Sequence, residues 1–248
     1  MHHSIAWRES IADITEVDID PVSDELMTLA NGHYLPQVDY FIQYAYFGAA
    51  GATRARFVTP TFRQITTPFI RPLGTAIVPT DEPNVADYTA NPLRIRALEE
   101  LQLLGFQTTG GAAVVVCTAG ISKGPIQPIP QGDIYTMRGT GATTVTAGAW
   151  SNVPITWQDT LPNGLYAAVG LEAIGTTCVA ARLVFEDQWE RPGTVGNAAV
   201  ANNGSPLFRK GRLGIWGRFN GNRMPNLQFL CNAADTAQEV YLDLMRIG

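Results

Sequence analysis

The chain has 248 residues, 46% hydrophobic, 16% charged and 9% aromatic, with 24 Gly, 16 Pro and a formal net charge of -5. At this length folding buries about 70% or more of the unfolded chain's surface, so no disulfide or metal staple is required. The ordinary hydrophobic fraction excludes disorder, while charge well below the usual ~25% indicates a neutral, β-rich chain of one or two domains. The only lysines are Lys123 and Lys210, and the other 15 basic residues are arginines. Arginine is favoured in interfaces because its planar fork pairs with carboxylates and stacks on aromatics; a drift of codon usage gives the same imbalance. Cys117, Cys178 and Cys231 are far apart in apolar runs, which fits buried free thiols in a reducing compartment. After Met1-His2-His3-Ser4-Ile5 come Glu9, Asp13, Glu16 and Asp18, where a signal peptide would need an apolar segment. The longest apolar run, Ala112 to Cys117, is far short of the roughly 20 residues that span a bilayer.

In chain order, Thr15 to Asp20 alternates like a strand. Ser23 to Ala30 reads as a short helix, with Ser23 as N-cap, Asp24 and Glu25 in the first turn and Asn31-Gly32 closing it. Val38 to Phe47 reads as a strand with Tyr40, Ile42, Tyr44 and Tyr46 on one face. Short strands are expected at Thr53 to Val58 and Phe62 to Thr67, followed by a proline-interrupted connection from Pro68 to Pro92. Asn91 to Gly105 has helix punctuation, Asn91-Pro92 before and Gly105 after, but continues as a strand through Leu101, Leu103 and Phe106. A helical turn becoming a strand is the expectation there.

Further strands are expected at Ala112 to Thr118, Asp133 to Gly139, Val153 to Trp157, Leu165 to Ala173, Thr177 to Phe185, Leu227 to Cys231 and Gln238 to Ile247. Asparagine-glycine turns at Asn163-Gly164 and Asn220-Gly221 punctuate them. A long polar loop runs from Trp189 to Pro206, of a length that is uncommon unless it binds or covers something. About eight strands from Leu93 onward give an all-β, eight-stranded jelly-roll β-sandwich over 91–248, with an N-terminal arm and β-rich region over 1–90. A compact double jelly roll is the alternative architecture.

Catalytic chemistry is hard to find. No G-x-S-x-G, H-E-x-x-H, Walker or dinucleotide motif occurs, and His33 is the one histidine away from the N-terminus, read as a surface or capping residue. No catalytic residue, cofactor or firm metal site is assigned. Glu16, Asp18 and Asp20 share a face if their segment is a strand, making a weak Ca²⁺ candidate against the blander reading of a solvated face. Two arginine clusters interleave with aromatics: Arg54, Arg56, Arg63 and Arg71, and Arg209, Arg212, Arg218 and Arg223. Such clusters can grip single-stranded nucleic acid, but a pI near 5.2 favours interface pairing.

The runs Val153-Pro154-Ile155-Thr156-Trp157, Leu161 to Gly170, Ala180 to Phe185, Arg191-Pro192-Gly193, Leu213 to Phe219, Pro225-Asn226-Leu227, Val240 to Leu244 and Thr59 to Thr66 resemble a viral jelly-roll major capsid protein. The resemblance is one of style over about two thirds of the chain. It implies a non-enzymatic, structural virion protein of a tailless icosahedral bacteriophage or related virus, made in the host cytoplasm and self-assembling as a homo-oligomer of trimer to hexamer capsomers. Other capsid proteins, the genome or an internal membrane are its implied neighbours. The chain departs from small-RNA-virus coats in having no basic N-terminal arm. A carbohydrate-binding β-sandwich module is the competing reading, with Trp150, Trp157, Trp189 or Trp216 as stacking platforms.

Overall fold

Strand follows strand along this chain because β-branched and aromatic residues recur in short runs between turn formers. The computed structural model describes residues 2–12, 14–24, 27–35, 38–49, 52–62, 78–79, 85–107, 111–198 and 204–248. Those residues are all-β, with a short 3₁₀ turn at Pro206–Phe208. Two units divide the chain: an N-terminal unit of Ile5–Ile77 and Asn84–Pro125, and a C-terminal unit of Met1–Ser4, Val78–Pro83 and Ile126–Gly248.

The C-terminal unit contains β11 through β19, and the ten strands before them belong wholly or mainly to the N-terminal unit. In the N-terminal unit these are β1 (His2–Ile11, whose first three residues group with the other unit), β2 (Val17–Asp18), β3 (Met27–Leu29), β4 (Gly32–Tyr34), β5 (Tyr40–Ala49), β6 (Ala52–Val58), β7 (Ala86–Asp87), β8 (Leu93–Ile95), β9 (Glu100–Gln107) and β10 (Ala113–Ser122). In the C-terminal unit they are β11 (Ile134–Gly141), β12 (Trp150–Val153), β13 (Thr156–Trp157), β14 (Leu165–Ile174), β15 (Cys178–Val184), β16 (Gly193–Asn197), β17 (Gly217–Asn220), β18 (Asn226–Cys231) and β19 (Gln238–Arg246).

The wiring of the C-terminal unit is that of a jelly roll. Setting aside the two-residue edge strand β13, its eight strands pair first with last, second with seventh, third with sixth and fourth with fifth: β11·β19, β12·β18, β14·β17 and β15·β16. The further pairings β14·β19 and β15·β18 assemble two four-stranded layers, β11-β19-β14-β17 and β12-β18-β15-β16. This is a single antiparallel ribbon rolled over on itself. A short parallel pairing of β14 with β16 links the layers.

The N-terminal unit follows the same rule. β1 lies beside β10, β2 and β4 both pair with β9, and β5 pairs with β7 and β8. The cross-pairings β5·β10 and β6·β9 complete the two layers. Seven of the eight jelly-roll positions are thus occupied among the described residues. The strand expected at Phe62 to Thr67 lies, from residue 63 on, outside the described residues. Among the described residues the C-terminal unit is thus a complete jelly roll and the N-terminal unit shows seven positions of a second, as in the alternative architecture, with β8 to β10 in the N-terminal unit.

Several local expectations change. Where a helix is expected from Ser23 to Ala30, β3 and β4 form a hairpin with Leu29 opposite Gly32; the Asn31-Gly32 signal marks a hairpin reversal instead of a helix end. Leu93 to Ile95 is strand, and Arg96 to Glu99 turns with Leu98 at φ 65. β5 does not present four residues on one face. Its register with β10 slips by one residue at Gln43, and such a bulge inverts the alternation. Tyr40 and Ile42 before the slip, and Ala45, Phe47 and Ala49 after it, join the core cluster with Trp7, Phe57, Leu101 and Leu103. Tyr44 and Tyr46, buried as well, point to the opposite face. The bulged Gln43 donates to Ser122 Oγ at 2.7 Å, and that hydroxyl donates to the Gly124 carbonyl at 2.6 Å, so the buried amide nitrogen is satisfied.

Candidate functional site

The three histidines are all buried. His33, expected at the surface, lies on β4 with its ring edge-on to Trp7 at 4.9 Å, its Nε2 donating to the Ala6 carbonyl at 2.9 Å. His2 meets Trp216 edge-on at 4.8 Å and sets Nε2 3.1 Å from the Gly193 carbonyl. Burial depresses its pKa to about 3 despite the opposing backbone bond, so it is neutral at physiological pH. His3 Nδ1 accepts from the Arg191 N–H at 3.1 Å.

Among the described residues no group of three or more His, Cys, Asp or Glu gathers to hold a metal. The acidic trio does not converge: Glu16 pairs with Arg56 at 2.5 Å, and the Asp20 N–H donates to Glu9 Oε2 at 3.2 Å. Glu9 has its pKa raised, first by burial and then by the charge of Asp20. The three cysteines are free and buried.

The arginine clusters separate into different roles. Arg54 lies over the Phe106 ring at 4.5 Å in a cation–π contact, while Arg63 and Arg71 lie outside the described residues. Arg209 is engaged inside the C-terminal unit. Its Nε and Nη2 donate to the fully buried Asp243 at 2.7 and 2.9 Å, and its Nη1 donates to Glu172. Asp243 also accepts from Thr136 Oγ1 at 2.6 Å and the Lys210 N–H at 2.9 Å. Burial pulls this carboxyl's pKa up, but the bonds from Arg209, Thr136 and Lys210 outweigh that pull and hold it below the usual carboxylate range. The network needs a glycine opposite it: a Cβ on Gly170 would stand 2.8 Å from Asp243 Oδ2.

Arg212, Arg218 and Arg223 are exposed. The last two line an open cleft of about 430 Å³ with Glu186, Asp187, Phe185 and Phe219. Glu186 and Arg223 meet at 3.1 Å with both side chains about two-thirds exposed, so the pair adds little to folding and is free to exchange partners. The floor is fixed by aromatic packing of Phe219 against Tyr166 at 6.0 Å and Phe185 at 6.4 Å. The cleft thus carries charges of both signs at its rim over an apolar base.

The tryptophans separate as well. Trp216 is fully buried, and Trp150 is covered by the buried Arg182 guanidinium at 4.1 Å. Trp157 is half-buried on β13, whereas Trp189 is 40% exposed beside His3. Arg182, which no sequence pattern singles out, also donates to Gln228 Oε1 at 2.7 Å and to the Ser4 carbonyl at 3.2 Å.

The pairing order and strand count define an all-β protein of the jelly-roll class. No protein-family model and no curated protein matches the chain. Among solved structures it aligns with the crystal structure of the major capsid protein P2 from Bacteriophage PM2, over 100% of this chain and 98% of that one. The identity is 9% and the TM-score 0.23, too low to establish a common fold.

Proposed function

We propose that the chain is a major capsid protein, a structural subunit that self-assembles through heterologous contacts into the icosahedral shell of a tailless bacteriophage or related virus. The observation that carries this reading is the repeated wiring: a jelly roll in the C-terminal unit and seven of the eight positions of a second among the described residues of the N-terminal unit. The fold alone does not decide function, since jelly rolls also serve lectins and cupins. Low charge and the arginine bias support extensive interface, and the cleft lined by Arg218 and Arg223 is the candidate contact. Arg54, Arg56, Arg63, Arg71 and Arg212 are further interface candidates. The role requires no catalytic group or cofactor, and its place is the virion.

The glycan-binding alternative is weakened by the burial of Trp216 and the covering of Trp150. Light scattering after size exclusion, with negative-stain microscopy, tests the capsid reading. Trimers to hexamers or megadalton particles are expected, dissociating in the double variant Arg218→Glu, Arg223→Glu without loss of fold. A strictly monomeric wild type that is retained on a glycan column overturns it.

A further inference from the structure

Cys178 opens β15 and Cys231 closes β18. The two are direct partners across the antiparallel ladder, a relation that places Cα atoms about 4.5–5.5 Å apart, inside the ~4.4–6.8 Å range that a disulfide spans. Both thiols are free and fully buried. The register slips at Val179, next to this pair, so the ladder is locally irregular there and able to adjust as sulfur approaches sulfur. On the other side of β15, Gly196 clears space for the thiol: a Cβ there would stand 2.5 Å from Cys178 Sγ. Cys117, by contrast, is in the N-terminal unit, opposite Phe47 on β5.

We propose that Cys178 and Cys231 are an oxidation site, closing to a cross-strand disulfide when the protein meets hydrogen peroxide. One thiolate attacks the peroxide oxygen, forming a cysteine sulfenic acid and releasing hydroxide. The second thiol then displaces that hydroxyl, so an S–S bond forms, an S–O bond breaks and water leaves. Two cysteine sulfurs are oxidised and one peroxide is reduced. The neighbouring Cys231 thiol and burial both push the Cys178 thiol well up from its usual range, so the protected pair reacts slowly and faster as pH rises. The bond ties the fourth strand of the C-terminal jelly roll to the seventh and closes a long loop, which restricts the unfolded chain.

The test uses the full-length wild type treated with hydrogen peroxide under native conditions, quenched with an alkylating agent, denatured and digested without reductant. Mass spectrometry is expected to find the Cys178 and Cys231 peptides joined and Cys117 alkylated. The oxidised protein is expected to melt several degrees higher, a gain removed by dithiothreitol. Cys231→Ala, if it folds, shows no such gain. Both thiols still alkylatable after exposures that oxidise a small-molecule thiol, conversion to separate sulfinic acids, or a disulfide that includes Cys117 overturns the proposal.

Discussion

Replacing Asp243 with asparagine perturbs one acceptor that serves four hydrogen bonds: two from Arg209, one from Thr136 and one from the Lys210 backbone. The amide keeps one oxygen but turns an NH₂ towards donors, and it leaves the Arg209 charge with Glu172 alone. Breaking a buried pair from one side costs about 3–5 kcal/mol; the surviving Glu172 contact puts Asp243→Asn at the lower end, about 3 kcal/mol. For a protein of this size that is roughly 6–12 °C in Tm. The folded carboxyl titrates below its ordinary value, so its stabilisation is fully present above about pH 4 and is lost as pH falls through the folded pKa. The gap between wild type and variant in urea melts is therefore largest near neutrality and shrinks in acid. A cost under ~1 kcal/mol at neutral pH, or a gap that does not narrow in acid, refutes the reasoning.

Gly120→Val drives a side chain into the Tyr44 ring packed over that position; a loss of about 2 kcal/mol or more is expected, read as a lower urea midpoint, and an unchanged midpoint contradicts the packing. Arg182→Ala removes the bonds to Gln228 and Ser4 and uncovers Trp150, so a loss of about 2 kcal/mol should accompany a red-shifted tryptophan emission. His2 is held neutral with a pKa of about 3. The unfolded chain binds the extra proton below about pH 6.5, so stability falls from there towards pH 3. His2→Gln should flatten that slope, which urea melts across the interval will measure.

Strands built from runs of apolar and β-branched residues between turn formers were legible in the sequence, among them β14, β15, β18 and β19. What was hidden has physical causes. β16 reads as loop because Gly193–Asn197 holds small and polar residues, yet all five positions are buried; with both faces covered, a strand has no polar side to show. β1 was missed because its histidines look polar, whereas the fold buries His2 and His3 along with Ile5 and Trp7. The slip at Gln43 has no signature in composition, so the sequence reads as one face from Tyr40 to Tyr46 where the strand has two. Among the site residues, a run of arginines does not distinguish Arg209, tied to Asp243, from Arg218 and Arg223 at the cleft rim, because the distinguishing carboxylates lie far away in sequence.

The order in which strands leave the ribosome differs from their order in space. β19 is made last in its unit but sits in the middle of its layer, between β11 and β14. Until it emerges, both neighbours present unpaired edges, templates for misassociation with nascent copies. The N-terminal unit closes with β10, between β1 and β5, before any of β11 to β19 exists. Synthesis therefore exposes one incomplete sandwich at a time. Because each closure joins strands distant in sequence, a slow, high-contact-order folding step is expected in each unit.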